Sequence, residues 1–240
     1  MQLEVIYEDN DILVCFKPAG VATQTASLSS QDMVSMIKNY LAKQTKEKSP
    51  YVGVIHRLDQ PVSGLLVFAK NQKAAAVLSK EIQDGTANKD YIACCSGTLE
   101  KKTGKLTHYI MKDPVTKLAK TLDENAYVKL QEEKKEESAG YKKSILTYEV
   151  EKEEDNSSII RVHLQTGRFH QIRAQFSNIG NSLLGDAKYG SNISKELSMK
   201  KRINKIALCA NHLILKHPMT GKEMEFTLDK KYLPKWYIES

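Results

Sequence analysis

The run His56-Arg57-Leu58-Asp59-Gln60-Pro61-Val62-Ser63-Gly64-Leu65-Leu66-Val67-Phe68-Ala69-Lys70 constrains this chain most, because a charged tetrad stands immediately before an apolar segment. Leu-Leu-Val-Phe reads as a buried strand, and a buried strand holds the loop that enters it rigidly. In that loop Asp59 is a candidate nucleophile or base, and Arg57 is a cation fixed beside it. A surface turn before a core strand would give much the same pattern. A second run, Thr166-Gly167-Arg168-Phe169-His170-Gln171-Ile172-Arg173, adds more polar and cationic residues and shifts the reading toward chemistry.

Taken in order, the two runs resemble the RluA-type family of pseudouridine synthases, marked by an His-Arg-Leu-Asp-x-x-Thr-Ser-Gly loop and a later Thr-Gly-Arg-x-His-Gln-Ile-Arg helix start. The resemblance extends from Lys17-Pro18-Ala19-Gly20, through Lys89-Asp90-Tyr91-Ile92-Ala93, to the stretch between Ile179 and Gly190, and so covers nearly the whole chain. Three positions depart from the pattern. Val62 stands where Thr is usual, Phe169 where Thr or Ser is usual, and Leu208-Cys209-Ala210 where Leu-His-Ala is common. None of these removes a residue on which the chemistry depends.

The resemblance implies isomerisation of uridine to pseudouridine in structured RNA, ribosomal or transfer, without metal or cofactor. Asp59 is then the catalytic carboxylate, acting either as a nucleophile at the sugar carbon or as a base at its neighbouring position. Arg173 is similar to the family arginine that pairs with that aspartate, and Tyr91 to the tyrosine beside the target base. Leu208 looks like the apolar residue closing the base's other side. Arg57 resembles the arginine that enters the space left when a base is flipped out of the stack, a movement that costs a few kcal/mol. As an alternative, Arg57 could bridge to Asp59 or Asp186 as a structural ion pair. Arg168, His170 and Gln171 stand at an expected helix start, where backbone N–H groups favour phosphate. Lys17 and Lys70 are weaker candidates for backbone contacts, since such lysines are usually solvated. A hydrolase would need two carboxylates flanking the bond, and only Asp59 lies in the motif. A non-catalytic RNA-binding protein on the same scaffold would be expected to have lost Asp59, Tyr91 or Arg173.

The 240 residues suffice for one large domain or two packed lobes, and a single catalytic domain over 1–240 is expected, without an N-terminal RNA-binding module. A net charge of +7 suits a polyanionic partner. Between Gln131 and Asp155 nine acidic residues face five lysines, so the basic surplus lies elsewhere, including Lys195 to Lys216. The four cysteines lack Cys-x-x-Cys spacing and form no metal pattern with the six histidines. With no secretory signal or membrane-length apolar stretch, a cytoplasmic monomer with free thiols is expected.

Val5 to Tyr7 and Ile12 to Phe16 read as a hairpin, and Met33, Met36, Ile37, Tyr40 and Leu41 as a helix capped by Ser30. The spacing predicts a second helix between Asn71 and Gly85 and a strand over Tyr91 to Cys95. Short strands broken at Asp113-Pro114 are expected from Lys105 to Leu130, and a solvated loop from Gln131 to Gly140. Lys142 to Val150 with Ser158 to Leu164, and Leu208 to Lys216 with Glu223 to Leu228, read as hairpins. A helix is expected over Arg168 to Asn178. Many hairpins and few helices point to an α+β fold with a mostly antiparallel mixed sheet and flanking helices. The family resemblance adds a pseudouridine synthase-like fold with a central cleft.

Overall fold

The computed structural model describes residues 2–25 and 31–239. In chain order they form β1 (Glu4–Glu8), β2 (Ile12–Lys17), α1 (Met33–Thr45), β3 (Gly53–Val54), β4 (Ser63–Ala69), α2 (Gln72–Asp84), β5 (Asn88–Ser96), β6 (Thr103–Lys112) and β7 (Ala119–Leu122). There follow α3 (Glu124–Glu133), α4 (Lys135–Ser138), β8 (Lys142–Glu154), β9 (Ser157–Leu164), α5 (Gln171–Asn178), α6 (Asn192–Lys200), β10 (Leu208–Lys216), β11 (Glu223–Thr227) and α7 (Lys235–Ile238). This is an α+β fold, mostly antiparallel, with β4 and β10 running parallel. The chain divides into two compact units, one of residues 1–89 with 209–233, the other of 90–208 with 234–240.

In the first unit β4 is the central strand. It pairs antiparallel with β2 along its length and with β3 at its end, and parallel with β10 at its start. Its residues from Leu65 to Ala69 are buried, as expected of an unbroken apolar run covered on both faces. Asp9 makes the β1–β2 turn, one carboxylate oxygen accepting the N–H groups of Asp11 and Ile12 at 2.8 Å each. The expected cap Ser30 lies outside the described residues; Asp32 caps α1 instead, accepting from the Ser35 N–H at 2.7 Å. Met33, Met36, Ile37 and Leu41 are buried, and Tyr40 reaches Glu8 at 2.9 Å. Helix α2 is capped by Asn71 and ends at Gly85, which takes the left-handed conformation at φ 72°.

In the second unit five strands run antiparallel in the order β5-β9-β8-β6-β7. Asp155 and Asn156, at φ 49° and 57°, make the two-residue turn of the β8–β9 hairpin. Two expectations need correction here. Residues 124–133 and 135–138 are helical, where strands and then a solvated loop were expected. Asp123 caps the Ala126 N–H at 2.8 Å, and Tyr127 anchors the helix by stacking on Tyr109 at 3.7 Å. No α3 residue is buried, so the segment carries only a weak apolar period. Helix α5, in turn, starts at Gln171 rather than Arg168, because His170 sits at φ 52° and breaks the helical path. Helix α6 had no counterpart in the sequence reading; its buried side chains are Ser194 and Ser198, and Leu197 alone packs on the core, too little for an apolar stripe.

Gly64 shows how tightly β4 meets its neighbour. At φ 136° a Cβ there would stand 2.3 to 2.6 Å from the backbone and Cβ of Ala210. Gly64→Ala is therefore expected to destabilise the protein by roughly 1–3 kcal/mol from overpacking, with the unfavourable φ added. A urea melt unchanged from wild type would show that β4 and β10 are not held at this distance.

Candidate active site

The Asp59 loop is built on a buried lysine. Lys17 ends β2 and is 0 % exposed. Its ammonium donates to the carbonyls of Pro18, Val21 and Gln60 at 3.2, 2.6 and 3.0 Å. The Gly20 N–H donates to the same Gln60 carbonyl at 2.8 Å, and the Gln60 side chain returns a bond to the Gly20 carbonyl at 3.0 Å. The Thr23 hydroxyl takes the Leu58 N–H at 3.2 Å and gives its proton to the Leu58 carbonyl at 3.0 Å. The Val62 N–H closes the turn on the Asp59 carbonyl at 3.0 Å. The expectation of a solvated Lys17 is thus corrected: the apolar stem follows a core strand, and three backbone carbonyls hold its head. Lys70 is likewise structural, bonded to Glu8 at 2.7 Å and to the Asp9 carbonyl.

Burial drives the Lys17 ammonium down to about 8, against the opposing pull of the Asp59 carboxylate. Burial, then the charge of Lys89, pushes His56 down to about 3. Neutral, its Nε2 accepts the Val67 N–H at 3.3 Å and ties the tetrad to β4. Within this fixed loop Asp59 is half-buried, and Arg57 is exposed, with no hydrogen bond or ion pair to any described residue. Within this unit an Arg57 ion pair to Asp59 is not formed.

In the second unit Arg173, on α5, is buried and grips Asp186 with two parallel bonds, Nε and Nη2 each 2.8 Å from a carboxylate oxygen. Asp186 also accepts the N–H groups of Lys188 and Tyr189 at 2.9 and 3.1 Å, and the Tyr189 ring lies 5.1 Å from the guanidinium carbon. Burial alone would raise the Asp186 carboxyl; Arg173 and the two N–H groups outweigh it and hold the carboxyl below its usual range. The sequence reading left Asp186 to its turn and missed this pair. A carboxylate flanked by glycines in a Gly-Asp-x-x-Tyr-Gly stretch was the available signal.

Gln171 is buried rather than turned to a ligand. Its amide oxygen accepts from the Thr166 hydroxyl and the Arg168 N–H at 2.8 and 2.9 Å, and its nitrogen donates to the Ile145 carbonyl at 3.1 Å. It braces the loop that carries Arg168, which is exposed and donates through Nε to the Lys143 carbonyl at 3.1 Å. His170 bonds through Nδ1 to the Tyr189 hydroxyl at 2.8 Å. Tyr91, on β5 opposite Val162, and Leu208 are 7 % and 5 % exposed.

Among the described residues Asp9, Asp11 and His217 are the one cluster with metal-ligating spacing. It does not suit a cation. His217 Nδ1 accepts the N–H groups of Met219 and Thr220 at 3.3 and 3.2 Å, which leaves the ring proton on Nε2, donated to Asp9 at 2.9 Å. All four cysteines are free and buried, and no described helix is long and apolar enough to cross a membrane.

Two measurements test these cores. Because Lys17 titrates near 8 when folded and near 10.5 when unfolded, the unfolded chain binds more protons between those values. Wild type should therefore gain stability relative to Lys17→Met as pH rises through that window, by on the order of 3 kcal/mol; parallel curves in denaturant melts would refute the buried ammonium. Asp186→Asn takes from buried Arg173 the carboxylate that binds both ends of its fork and should cost about 3–5 kcal/mol at neutral pH. As the folded Asp186 carboxyl lies below its ordinary 3.8, that contribution should hold above 3.8 and fade only as pH falls through the lower folded value.

A model of the RNA pseudouridylate synthase family matches residues 11–178. The chain is 29% identical over 245 residues to the uncharacterized RNA pseudouridine synthase YhcT of Bacillus subtilis, covering 99% of this chain and 73% of that one. It is 30% identical over 231 residues to ribosomal large subunit pseudouridine synthase D of Zymomonas mobilis, covering 93% and 68%. The structure of human RNA pseudouridylate synthase domain containing 4 has the same fold, with a TM-score of 0.75 at 18% identity over 98% of this chain and 90% of that one. With the Asp59 loop, the Arg173 helix and this match along most of its length, the chain belongs to the RluA-type family of RNA pseudouridine synthases, isomerases that convert uridine in RNA to pseudouridine.

Proposed function

We propose that this enzyme isomerises specific uridines in structured RNA, with large-subunit ribosomal RNA as the substrate and Asp59 as the reacting carboxylate. The observation that carries the reading is the Asp59 loop itself: a half-buried carboxylate on backbone pinned by Lys17, Thr23 and Gly20, beside an exposed arginine. The name of the Zymomonas relative supports the choice of RNA.

The reaction breaks the bond between sugar C1′ and base N1, turns the base, and joins C1′ to C5. The C5 proton leaves and N1 is protonated, so atoms and electrons balance without an oxidant or cofactor. Asp59 serves either as nucleophile at C1′ or as base at C2′, and both routes need a carboxylate held in one place. Tyr91 and Leu208 are assigned to the target base and Arg173 to charge support. Arg57 is assigned to the gap left by the flipped base. Arg168 and His170 are assigned to the RNA backbone, whereas Gln171 is assigned to holding their loop in shape.

Release of tritium from C5 of labelled, unmodified ribosomal RNA tests this. Asp59→Asn should lower turnover by several powers of ten while leaving RNA affinity nearly intact, since it removes a reacting charge and little volume. Arg57→Ala should reduce turnover on folded RNA far more than on a short unstructured strand of the same sequence. Retention of more than about a hundredth of wild-type turnover by Asp59→Asn would overturn the carboxylate's role. Equal losses on both substrates would overturn the role of Arg57.

A further inference from the structure

Phe169 is a large apolar side chain in a polar, cationic loop. It is half-exposed, and it stands where the motif usually has Thr or Ser. Its ring lies on the His170 imidazole, with centroids 3.7 Å apart and planes 22° from parallel. His170 is in turn fixed by the Tyr189 hydroxyl, which also receives the Ala119 N–H at 2.7 Å. The left-handed backbone at His170 sets the two rings in this arrangement; φ is 52° at a residue that is not glycine. Strain of this kind persists only where surrounding contacts hold it.

The ring's surroundings are basic. Lys112, exposed at the end of β6, places its ammonium 4.8 Å from the Phe169 centroid. Lys142 and Lys143, exposed at the start of β8, pair in register with Ile110 and Tyr109 of β6, and Arg168 is tied to the Lys143 carbonyl. The adjacent acid, Asp113, is buried and already committed to the N–H groups of Val115 and Thr116 and to Lys120 at 2.9 Å. A stiffly backed aromatic ring among cations that form no ion pair with the described residues matches one ligand chemistry: a planar base carrying a phosphate.

We propose that Phe169 is a stacking subsite for a nucleobase of the RNA, with Lys112 serving that nucleotide's phosphate. The inference rests on the RNA substrate argued above. A lone ammonium over a solvent-exposed ring is held more weakly than a base stacked on it. An arriving base therefore displaces Lys112 from the ring, and the released ammonium finds its counter-charge on the phosphate. The contact tolerates any base, because every base has a π-face, so Phe169 adds affinity rather than selecting sequence.

Fluorescence anisotropy with an end-labelled oligouridylate, and with an abasic strand of the same length, tests the proposal across a salt series. Phe169→Leu keeps apolar bulk without the aromatic face; it should weaken oligouridylate binding about ten-fold at every salt concentration and leave abasic binding unchanged. Phe169→Tyr should restore wild-type affinity. Lys112→Gln should instead flatten the salt dependence by about 0.7 in the logarithmic slope, the share of one phosphate contact on a single strand. Wild-type affinity in Phe169→Leu, an equal loss on the abasic strand, or failure of Phe169→Tyr to restore binding would each overturn the proposal. Tritium release by wild type on ribosomal RNA decides the parent reading separately, since binding of these probes requires no turnover.

Discussion

A buried ammonium surrounded by backbone carbonyls is the constraint on which the Asp59 loop depends. Taking a lysine charge out of water costs several kcal/mol, and no surface salt bridge could offset that. Lys17 recovers part of it from three carbonyls, each a charge-assisted bond worth about 1.5–3 kcal/mol, with the Asp59 carboxylate contributing across space, and the unrecovered part is what lowers the ammonium to about 8. Two of those carbonyls, from Pro18 and Val21, belong to the turn after β2, and the third, from Gln60, to the tetrad loop. A single cation therefore joins two segments more than forty residues apart in sequence. Thr23 and Gly20 add bonds of the same kind, from backbone to backbone or from a short hydroxyl, so the loop has almost no flexible partner. A carboxylate that must meet one atom of a substrate gains from this rigidity directly.

The second unit solves a similar problem with a different device. Arg173 is enclosed by helix α5, and Asp186 answers its planar fork with both oxygens at once. A lysine could not satisfy that geometry, because it presents a point charge rather than two parallel donors. Asp186 has capacity left for two backbone N–H groups, and through them it shapes the Gly185 to Gly190 turn. Gly185 is required in that turn: a Cβ there would lie 2.1 Å from the Lys205 carbonyl oxygen. The ion pair thus fixes helix and turn together.

Much of this was legible in the sequence, and what was missed has physical causes. The hairpins were readable because apolar alternation and short turn-forming stretches coincide, as at Asp155-Asn156. Helix α2 was readable because Asn71 and Gly85 mark both ends of an apolar stripe. Helices α3 and α6 were not, because neither buries an apolar face and composition alone does not separate a solvated helix from a solvated loop. At the site, the family resemblance pointed to Asp59 and Arg173 but could not tell a buried cation from an exposed one. Lys17 looked like ordinary surface, and Gln171 looked like a ligand contact; only three-dimensional neighbours show the first holding carbonyls and the second spent on Thr166, Arg168 and Ile145. Asp186 was hidden for the same reason, since a turn aspartate and the partner of a buried arginine are the same letter in a sequence.

The three departures from the family pattern separate once burial is known. Val62 is 2 % exposed and Cys209 is 0 % exposed, the latter opposite Ser63 in the parallel pairing of β4 with β10. A methyl group in place of a hydroxyl at 62 suits a water-free position, where an unbonded hydroxyl would be costly. At 209 burial pushes the thiol up to about 11, so the side chain behaves as a small apolar filler without acid–base capacity near neutrality. Both changes belong to the packing behind the loop. Phe169 is the exception, since exchanging a small hydroxyl for an aromatic ring at a half-exposed position gains little from the core and leaves apolar area facing water. Of the three, it is the one whose benefit must come from something that binds.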